Sequence, residues 1–310
     1  MNLLDAMRYL VALEQQRHFG RAASACHITQ PALSNAIRAL EAELGVAIVR
    51  RGRSYEGLTD EGERVLASAN RLLHEQELLR QDLHSSQDAP RGSVSIGAVP
   101  TTIPVAARFA ARLQARHSGI KPIVRSLSSP ALETGLENLS LDIALGYTER
   151  GAKFTALPQY VERYFLLRRA AGAAGSDFQV GAELSWCDAA ALSLCLLTPE
   201  MHNRSIVDAA FREAGCAVTP AMQTNSIVSV VLSVLEGEVC TVLPGALLAL
   251  ARGHKGLEAL PLCRPDVRTP IGFMVARDTR PSRALAAALA LATDAAWLRD
   301  AGAHGEAASV

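Results

Sequence analysis

The sequence predicts an α/β chain in three parts: an N-terminal winged helix-turn-helix, a long linker helix, and a two-lobed α/β domain. Three observations carry this reading. Two short helical patches and a Gly- and Arg-rich segment precede Asp60, a helical heptad pattern runs on from there, and beyond Gly92 apolar strands and amphipathic helices alternate in two sets. The expected boundaries are 1–59, 60–90 and 91–310. Within the last part, lobe I takes 91–162 and 266–310, and lobe II takes 163–265.

Leu3, Leu4, Met7, Leu10, Val11 and Leu13 fall at helical spacing and predict the first helix. Gly20 precedes a second patch holding Ala22, Ala23 and Ala25. A third run, Ala32, Leu33, Ala36, Ile37, Leu40 and Leu44, starts at Pro31 and stops at Gly45, the usual asymmetry of helix ends. Val46 to Thr59 suits a β-ribbon wing. From Asp60 to Leu83 no Pro intervenes, nor any Gly after Gly62. Val65, Ala69, Leu72, Gln76, Leu79 and Leu83 recur there at spacings of four and three. That is a coiled-coil seam for a homodimer, with Gln76 fixing its register; the alternative is an amphipathic helix lying on its own domain. Ser85 to Gly92 reads as a hinge.

Beyond the hinge, strands at Ser93–Val99, Pro122–Ser126 and Asp142–Gly146 alternate with helices at Val105–Arg116 and Leu132–Leu139. This βαβαβ pattern predicts a mostly parallel sheet. A second set has strands at Leu192–Leu197, Val218–Gln223 and Cys240–Leu243, with helices at Ile206–Ala214 and Ile227–Leu235. A strand at Ile271–Val275 and one long helix, Ser282–Leu298, close the chain.

The 310 residues suit two domains, and 49% hydrophobic against 20% charged residues excludes wholesale disorder. A formal net charge of zero means any nucleic-acid surface must be local. Asp5, Arg8 and Glu14 interrupt the first apolar run, so no signal peptide is expected. Thr293 and Asp294 cut the longest apolar stretch, so no membrane span is expected and a cytoplasmic location follows. Cys26, Cys187, Cys195, Cys216, Cys240 and Cys263 are scattered, without metal spacing. They read as small buried hydrophobes, with no metal or cofactor expected.

The densest chemistry lies between His18 and Gly62. Thr29 is placed to cap the third helix, whose open N–H groups suit a DNA phosphate. With Pro31 opening the helix at the DNA surface, Gln30, Ser34 and Asn35 then face the major groove, where Gln and Asn pair bidentately with adenine. Arg38, and Arg50, Arg51 and Arg53 in the wing, are candidates for phosphate or minor-groove contacts. Phe19 to Ala23 (F-x-R-A-A), Thr29 to Ser34 (T/S-Q-P-A-L-S), Ile37 to Val46 (I-R-x-L-E-x-E-L-G-V) and Leu58 to Gly62 (L-T-x-E-G) together resemble the LysR-type transcriptional regulators. The likeness runs along the whole chain. Two departures stand out: Asn35 where the family usually has Arg, and Ile48-Val49-Arg50-Arg51 where it usually has L-F-x-R.

The resemblance implies a periplasmic-binding-protein-like effector domain and a homodimer or homotetramer on promoter DNA, with RNA polymerase as a further partner. It implies an effector between the lobes, at Thr101, Thr102, Ser128, Ser129, Gly146, Thr198, His202 and Asn203. Hydroxyls at helix starts are also what a carboxylate needs; for any one of these residues, plain N-capping is the competing reading. Among family members the chain most resembles regulators found beside formate dehydrogenase operons, which makes formate or another small monocarboxylate the expected effector. A solute-binding protein and an enzyme are the alternatives. Against the first stands the helix-turn-helix, and against the second the lack of G-x-S-x-G, Walker, G-x-G-x-x-G or metal-spaced His motifs.

Overall fold

A computed structural model describes residues 2–52, 55–84, 90–150, 153–170, 177–277 and 280–305. The chain forms two compact units, Met1–Asp88 with Gly135–Ser140, and Ala89–Thr134 with Leu141–Val310.

In the first unit α1 (Leu3–Gln16), α2 (Phe19–Ala25) and α3 (Gln30–Leu44) pack around Leu10, Leu13, Leu33, Leu40 and Ile48. Gly20 lies inside α2 and does not precede it, because the His18 ring caps that helix by accepting from the Gly20 and Arg21 amides. Strands β1 (Val49–Arg51) and β2 (Tyr55–Leu58) form the antiparallel wing. Gly45 ends α3 at φ +71°, a conformation natural to glycine. The buried carboxylate of Glu41 then accepts from the amides of Ile48 and Val49, at 2.8 and 3.1 Å, and fixes the path from helix to wing.

The linker helix α4 (Asp60–His84) runs 25 residues and packs along α1. Thr59 caps it by accepting from the Gly62 amide at 2.9 Å, and its own hydroxyl donates to the Ala47 carbonyl. A Cβ on Gly62 would meet the Ile48 carbonyl oxygen at 2.1 Å, so the L-T-x-E-G motif is a cap followed by an obligatory close approach. Residues 85–89 of the expected hinge lie outside the described set, and its last residue, Gly92, begins the first strand of the next unit.

The second unit begins with β3 (Gly92–Ala98), a 3-10 turn Pro100–Thr102, α5 (Ile103–Arg116), β4 (Ile120–Ser126), α6 (Ser129–Glu137) and β5 (Ile143–Tyr147). β3 pairs in parallel with both β4 and β5, as the βαβαβ pattern predicts. β6 (Phe154–Glu162) then leads across to lobe II, where β7 (Tyr164–Arg169), β8 (Gln179–Val180), β9 (Leu184–Ser185), α7 (Trp186–Ala190), β10 (Cys195–Leu197), α8 (His202–Glu213), β11 (Met222–Thr224), α9 (Ile227–Glu236), β12 (Thr241–Pro244) and β13 (Leu257–Cys263) follow. The chain returns through β14 (Thr269–Ala276), α10 (Arg283–Ala292) and α11 (Ala295–Gly305).

Three expectations need correction. The sheets are mixed: lobe I runs β4-β3-β5-β14-β6 with β14 antiparallel to both neighbours, and in lobe II β7 is antiparallel to β12 and β13. The cause is the chain's double crossing between lobes, since a strand that leaves and one that returns must oppose each other. The closing helix is two helices. Thr293 donates back to the Leu289 and Ala290 carbonyls and Asp294 accepts from the Ala296 and Trp297 amides, so one helix stops and the next is capped. Finally, the cysteines are not all buried thiols, because Cys187 and Cys216 are joined by a disulfide.

Replacing Gly62 with Ala forces a side-chain carbon against backbone. A thermal melt should show the head destabilised by about 1–3 kcal/mol, although Ala ordinarily gains about 1 kcal/mol over Gly within a helix. Gly302, which also lies in a helix but has open space around its Cβ position, supplies the control: Gly302→Ala should be neutral or stabilising. Equal melting temperatures for Gly62→Ala and the parent would refute the packing described.

Candidate functional site

Two surfaces gather the residues singled out by the sequence. On the first unit, Thr29 caps α3 by accepting from the Ala32 amide at 3.4 Å, and Pro31 sits in the first turn. Leu33, Ile37 and Leu40 bury one face of α3. Gln30, Pro31, Asn35 and Arg38 are exposed on the other, with Ser34 half-buried. Among the described residues, no hydrogen bond or ion pair commits the side chains of Gln30, Asn35 or Arg38. Arg50 is exposed on β1; the side chain of Arg51, and all of Arg53, lie outside the described residues. The wing is tied to the helices by the Tyr55 hydroxyl, which donates to Glu14, and by the edge of its ring against Phe19.

Along α4 the predicted seam divides. Ala69 is fully buried and Val65 half-buried within the single chain, which agrees with the amphipathic alternative for that first stretch. Leu72, Leu79 and Leu83 are 45%, 62% and 74% exposed, a strip of large apolar side chains that no helix among the described residues covers. Gln76 is exposed and accepts from Arg8 at 3.4 Å.

In the second unit, a cavity of about 40 Å³ lies between the lobes. Lobe I contributes Thr101, Ser128, Ser129 and Tyr147, with Val99, Pro100 and Pro130; lobe II contributes Glu200, Met201, His202 and Asn203. Thr101 meets the Tyr147 hydroxyl at 3.2 Å, and the Tyr147 ring lies 4.5 Å from that of His202. Asn203 donates to the Tyr164 hydroxyl at 3.4 Å. The Ser129 hydroxyl is buried with no partner among the described residues. Ser128 accepts from the Ala131 amide at 3.4 Å and so caps α6.

The start of α8 differs from most others. Side chains cap α1, α2, α3, α7, α9 and α10, but Met201 at the start of α8 provides no cap, nor does any side chain at the start of α5. Uncapped first-turn amides and the positive end of the helix dipole together favour an anion.

Three predicted contacts fall outside the cavity. Thr102 is fully buried, its hydroxyl donating to the Val99 and Leu145 carbonyls. Gly146 lies within β5 and the next residue, Tyr147, reaches the cavity instead. Thr198 donates to the Glu200 carboxylate at 2.7 Å, which holds that carboxyl below its ordinary pKa. Sequence reasoning missed Tyr147, Glu200 and Met201. They flank residues that it did choose, so counting along the strand end and the helix start was off by one or two positions. Arg204 brings no free charge here: it binds Asp208, the Leu197 carbonyl and Gln223.

Glu162 sits where the chain crosses from β6 to β7. It is almost fully buried, accepts from the Ala246 amide at 3.0 Å, and lies near the hydroxyls of Tyr160, Tyr147 and Tyr164. Burial pushes its pKa up to about 8, against the pull of backbone amides and Tyr160. Among the described residues no group of His, Cys, Asp or Glu is placed to hold a metal, and no helix is long and apolar enough to cross a membrane.

The family model described as "Bacterial regulatory helix-turn-helix protein, lysR family" matches residues 4–63, and "LysR substrate binding domain" matches 87–297. The DNA-binding transcriptional dual regulator OxyR of Escherichia coli is 28% identical over 278 residues, covering 88% of this chain and 89% of that protein. The SDS degradation transcriptional activation protein of a Pseudomonas species is 36% identical over 152 residues, 46% of this chain and 49% of that one. Among solved structures, a full-length OxyR variant from Pseudomonas aeruginosa aligns with a TM-score of 0.68 at 24% identity, over 92% of this chain and 95% of that one. CbnR complexed with its target DNA aligns with a TM-score of 0.66 at 18% identity, over 96% and 99%.

Because Glu162 is protonated more readily folded than unfolded, its contribution to stability is full below about pH 4.5 and is lost as pH rises through about 8. The tyrosine hydroxyls beside it are all held above their ordinary range and stay neutral throughout. Glu162→Gln keeps an acceptor for the Ala246 amide. It should flatten the fall in melting temperature between pH 5 and pH 8, chiefly by raising the value at pH 8. Parallel melting profiles for the variant and parent would contradict a buried, proton-bound carboxyl.

Proposed function

The chain belongs to the LysR family of bacterial regulators, and we propose that it binds promoter DNA as a homodimer or homotetramer and responds to a small monocarboxylate. For DNA reading, the observation that carries the proposal is the uncommitted outer face of α3. Gln30 and Asn35 read base edges, Ser34 assists from the same turn, and Thr29 with Pro31 sets the helix start against a phosphate. Arg38, Arg50, Arg51 and Arg53 neutralise backbone charge. The exposed strip of Leu72, Leu79 and Leu83 pairs with the same strip of a second chain, which presents two recognition helices to two half-sites. Promoter binding of this kind places the protein in the cytoplasm, with RNA polymerase as its partner, and the chain acts by binding alone.

Replacing Arg38 or Arg50 with Ala should weaken binding to every DNA sequence and reduce the salt slope by about 1 for each phosphate left without its arginine. Gln30→Ala should instead relax base preference, at about 1–3 kcal/mol per bidentate pairing. A Gln30→Ala protein with unaltered affinity and preference in a competition gel shift would sink the recognition-helix assignment.

For the effector, the supporting observation is the combination of an orphaned Ser129 hydroxyl and an uncapped α8 on opposite walls of one small cavity. About 40 Å³ holds no more than a few water molecules, so it suits a ligand of very few atoms. Neutral donors suit one negative charge better than two, and the Glu200 carboxylate at the rim opposes any anion, a multiply charged one most strongly. Formate, suggested by the likeness to regulators beside formate dehydrogenase operons, is the favoured effector. Its binding shifts the equilibrium between lobe arrangements, and with it the oligomer's grip on DNA.

Calorimetry of the full chain with formate, acetate and benzoate should rank formate first. Thr101→Val and Ser129→Ala should each lower formate affinity at least tenfold, at about 1.4 kcal/mol per tenfold, and leave ligand-free DNA binding intact. Preferential binding of a polyphosphate or of a neutral aromatic would overturn this reading of the cavity.

A further inference from the structure

Cys187 and Cys216 are bonded through their sulfurs, while Cys26, Cys195, Cys240 and Cys263 are free. Cys187 is exposed on α7 and Cys216 is half-buried just beyond the end of α8. Their Cα atoms are 5.7 Å apart, within the ordinary range for a disulfide.

Packing sets both positions independently of the bond. Ser185 caps α7 by accepting from the Asp188 amide at 3.1 Å. The fully buried Trp186 ring lies 5.0 Å from Phe211 of α8, and its N–H donates to the Pro265 carbonyl at 2.9 Å. Cys216 is brought back over the end of α8 by Gly215, at φ +79°, and by its own amide donating to the Phe211 carbonyl at 2.9 Å. The Ala214 carbonyl lies 3.2 Å from the Cys187 sulfur and 3.5 Å from that of Cys216, ready to accept from either thiol. Reduction therefore leaves two thiols that are already adjacent and already supplied with an acceptor. Elsewhere in the chain Cys195 is fully buried, and burial raises the thiols of Cys26 and Cys240 above their ordinary range, which keeps them unreactive.

We propose that Cys187 and Cys216 form a reversible thiol–disulfide site on lobe II, oxidised by hydroperoxides and reduced by low-molecular-weight thiols. In oxidation the Cys187 thiolate attacks the outer oxygen of a hydroperoxide ROOH. The O–O bond breaks, ROH leaves with one proton, and Cys187 carries a sulfenic acid. The Cys216 sulfur then attacks Cys187, and hydroxide departs with the Cys216 proton as water. Two electrons pass from the thiols to the peroxide. In reduction an external thiolate attacks the exposed Cys187 sulfur and releases Cys216 as a thiol. A second external thiol frees Cys187 and leaves as the external disulfide.

The thiol chemistry stands on the pair alone. Its regulatory meaning rests on the DNA-binding reading, because disulfides in a reducing compartment that holds DNA are usually transient and redox-sensing. The helix that ends beside Cys216 begins with His202 and Asn203 of the cavity, so the site bears on one wall of the effector pocket.

The test is a thiol count by Ellman's reagent under denaturing conditions, after the full chain is equilibrated in glutathione buffers of graded reduced-to-oxidised ratio or treated with hydrogen peroxide. The expected count moves between six and four across the glutathione series, and peptide mapping finds the linkage at Cys187–Cys216. Cys187→Ser and Cys216→Ser should each abolish the two-thiol change and keep the melting temperature of the reduced parent. Oxidation should raise the parent's melting temperature by on the order of 5 °C. Six thiols after peroxide treatment, or a link that persists in fully reduced glutathione, would overturn the proposal. Gel shifts of the fully reduced parent are read separately: loss of DNA binding there counts against the regulator reading and leaves the thiol count to decide the redox site.

Discussion

A backbone N–H withdrawn from water must find an acceptor, and this constraint organises both units. In the head, the amides of Ile48 and Val49 enter the wing with no strand partner on that side, and the Glu41 carboxylate takes both. In the second unit, the Ala246 amide begins a 3-10 turn at the lobe crossing and Glu162 receives it. Glu41 ties a helix to the wing that follows it, and Glu162 reaches a segment 84 residues away, so each fixes the angle between two elements. Helices facing the interior of their own unit satisfy their first amides with Asn2, His18, Thr29, Ser185, Ser226 or Ser282. Where α8 meets the cavity that provision is missing: among the described residues no side chain caps its first turn.

The double crossing between lobes has its own consequences. β14 returns between β5 and β6 and makes the lobe I sheet mixed. β7 enters the centre of lobe II, with Phe165 and Leu167 in one core cluster and Tyr164 and Leu166 in the other. A strand buried on both faces anchors the lobe firmly, so relative movement of the lobes concentrates at the crossings. Glu162 and Tyr164 flank the outgoing crossing, and Tyr164 also reaches Asn203 and Thr269. The wall of the cavity between the lobes is thus bonded to a segment that links them, through Asn203 and Tyr164.

The second unit also carries its polar chemistry at different depths. Glu162 is sealed from solvent and responds only to the proton, through its raised pKa. Ser129 is buried but lines the cavity, where its hydroxyl has no partner among the described residues. Cys187, bonded to Cys216, is exposed to solvent.

The sequence by itself determined the head almost completely. The Thr29 cap, Gly45 and the Thr59 cap act within a few residues of where they stand, and helical spacing of apolar residues shows directly which face of α1 or α3 is buried. It also located the strands and helices of the first βαβαβ set, because each has its own period. Only the tertiary structure decided the rest. β7 went unrecognised because a strand buried on both faces shows no alternation, and β6, an edge strand whose burial is irregular and whose pairing carries a register shift, shows none either. The direction of β14, the meeting of Cys187 with Cys216 across 29 residues, the covering of Ala69, and the entry of Tyr147 and Glu200 into the cavity all depend on which distant segments come to lie side by side. Caps and turns are energies of neighbours in the chain, legible one residue at a time; strand order and cavity walls are set by contacts between segments whose separation in sequence carries no local signal.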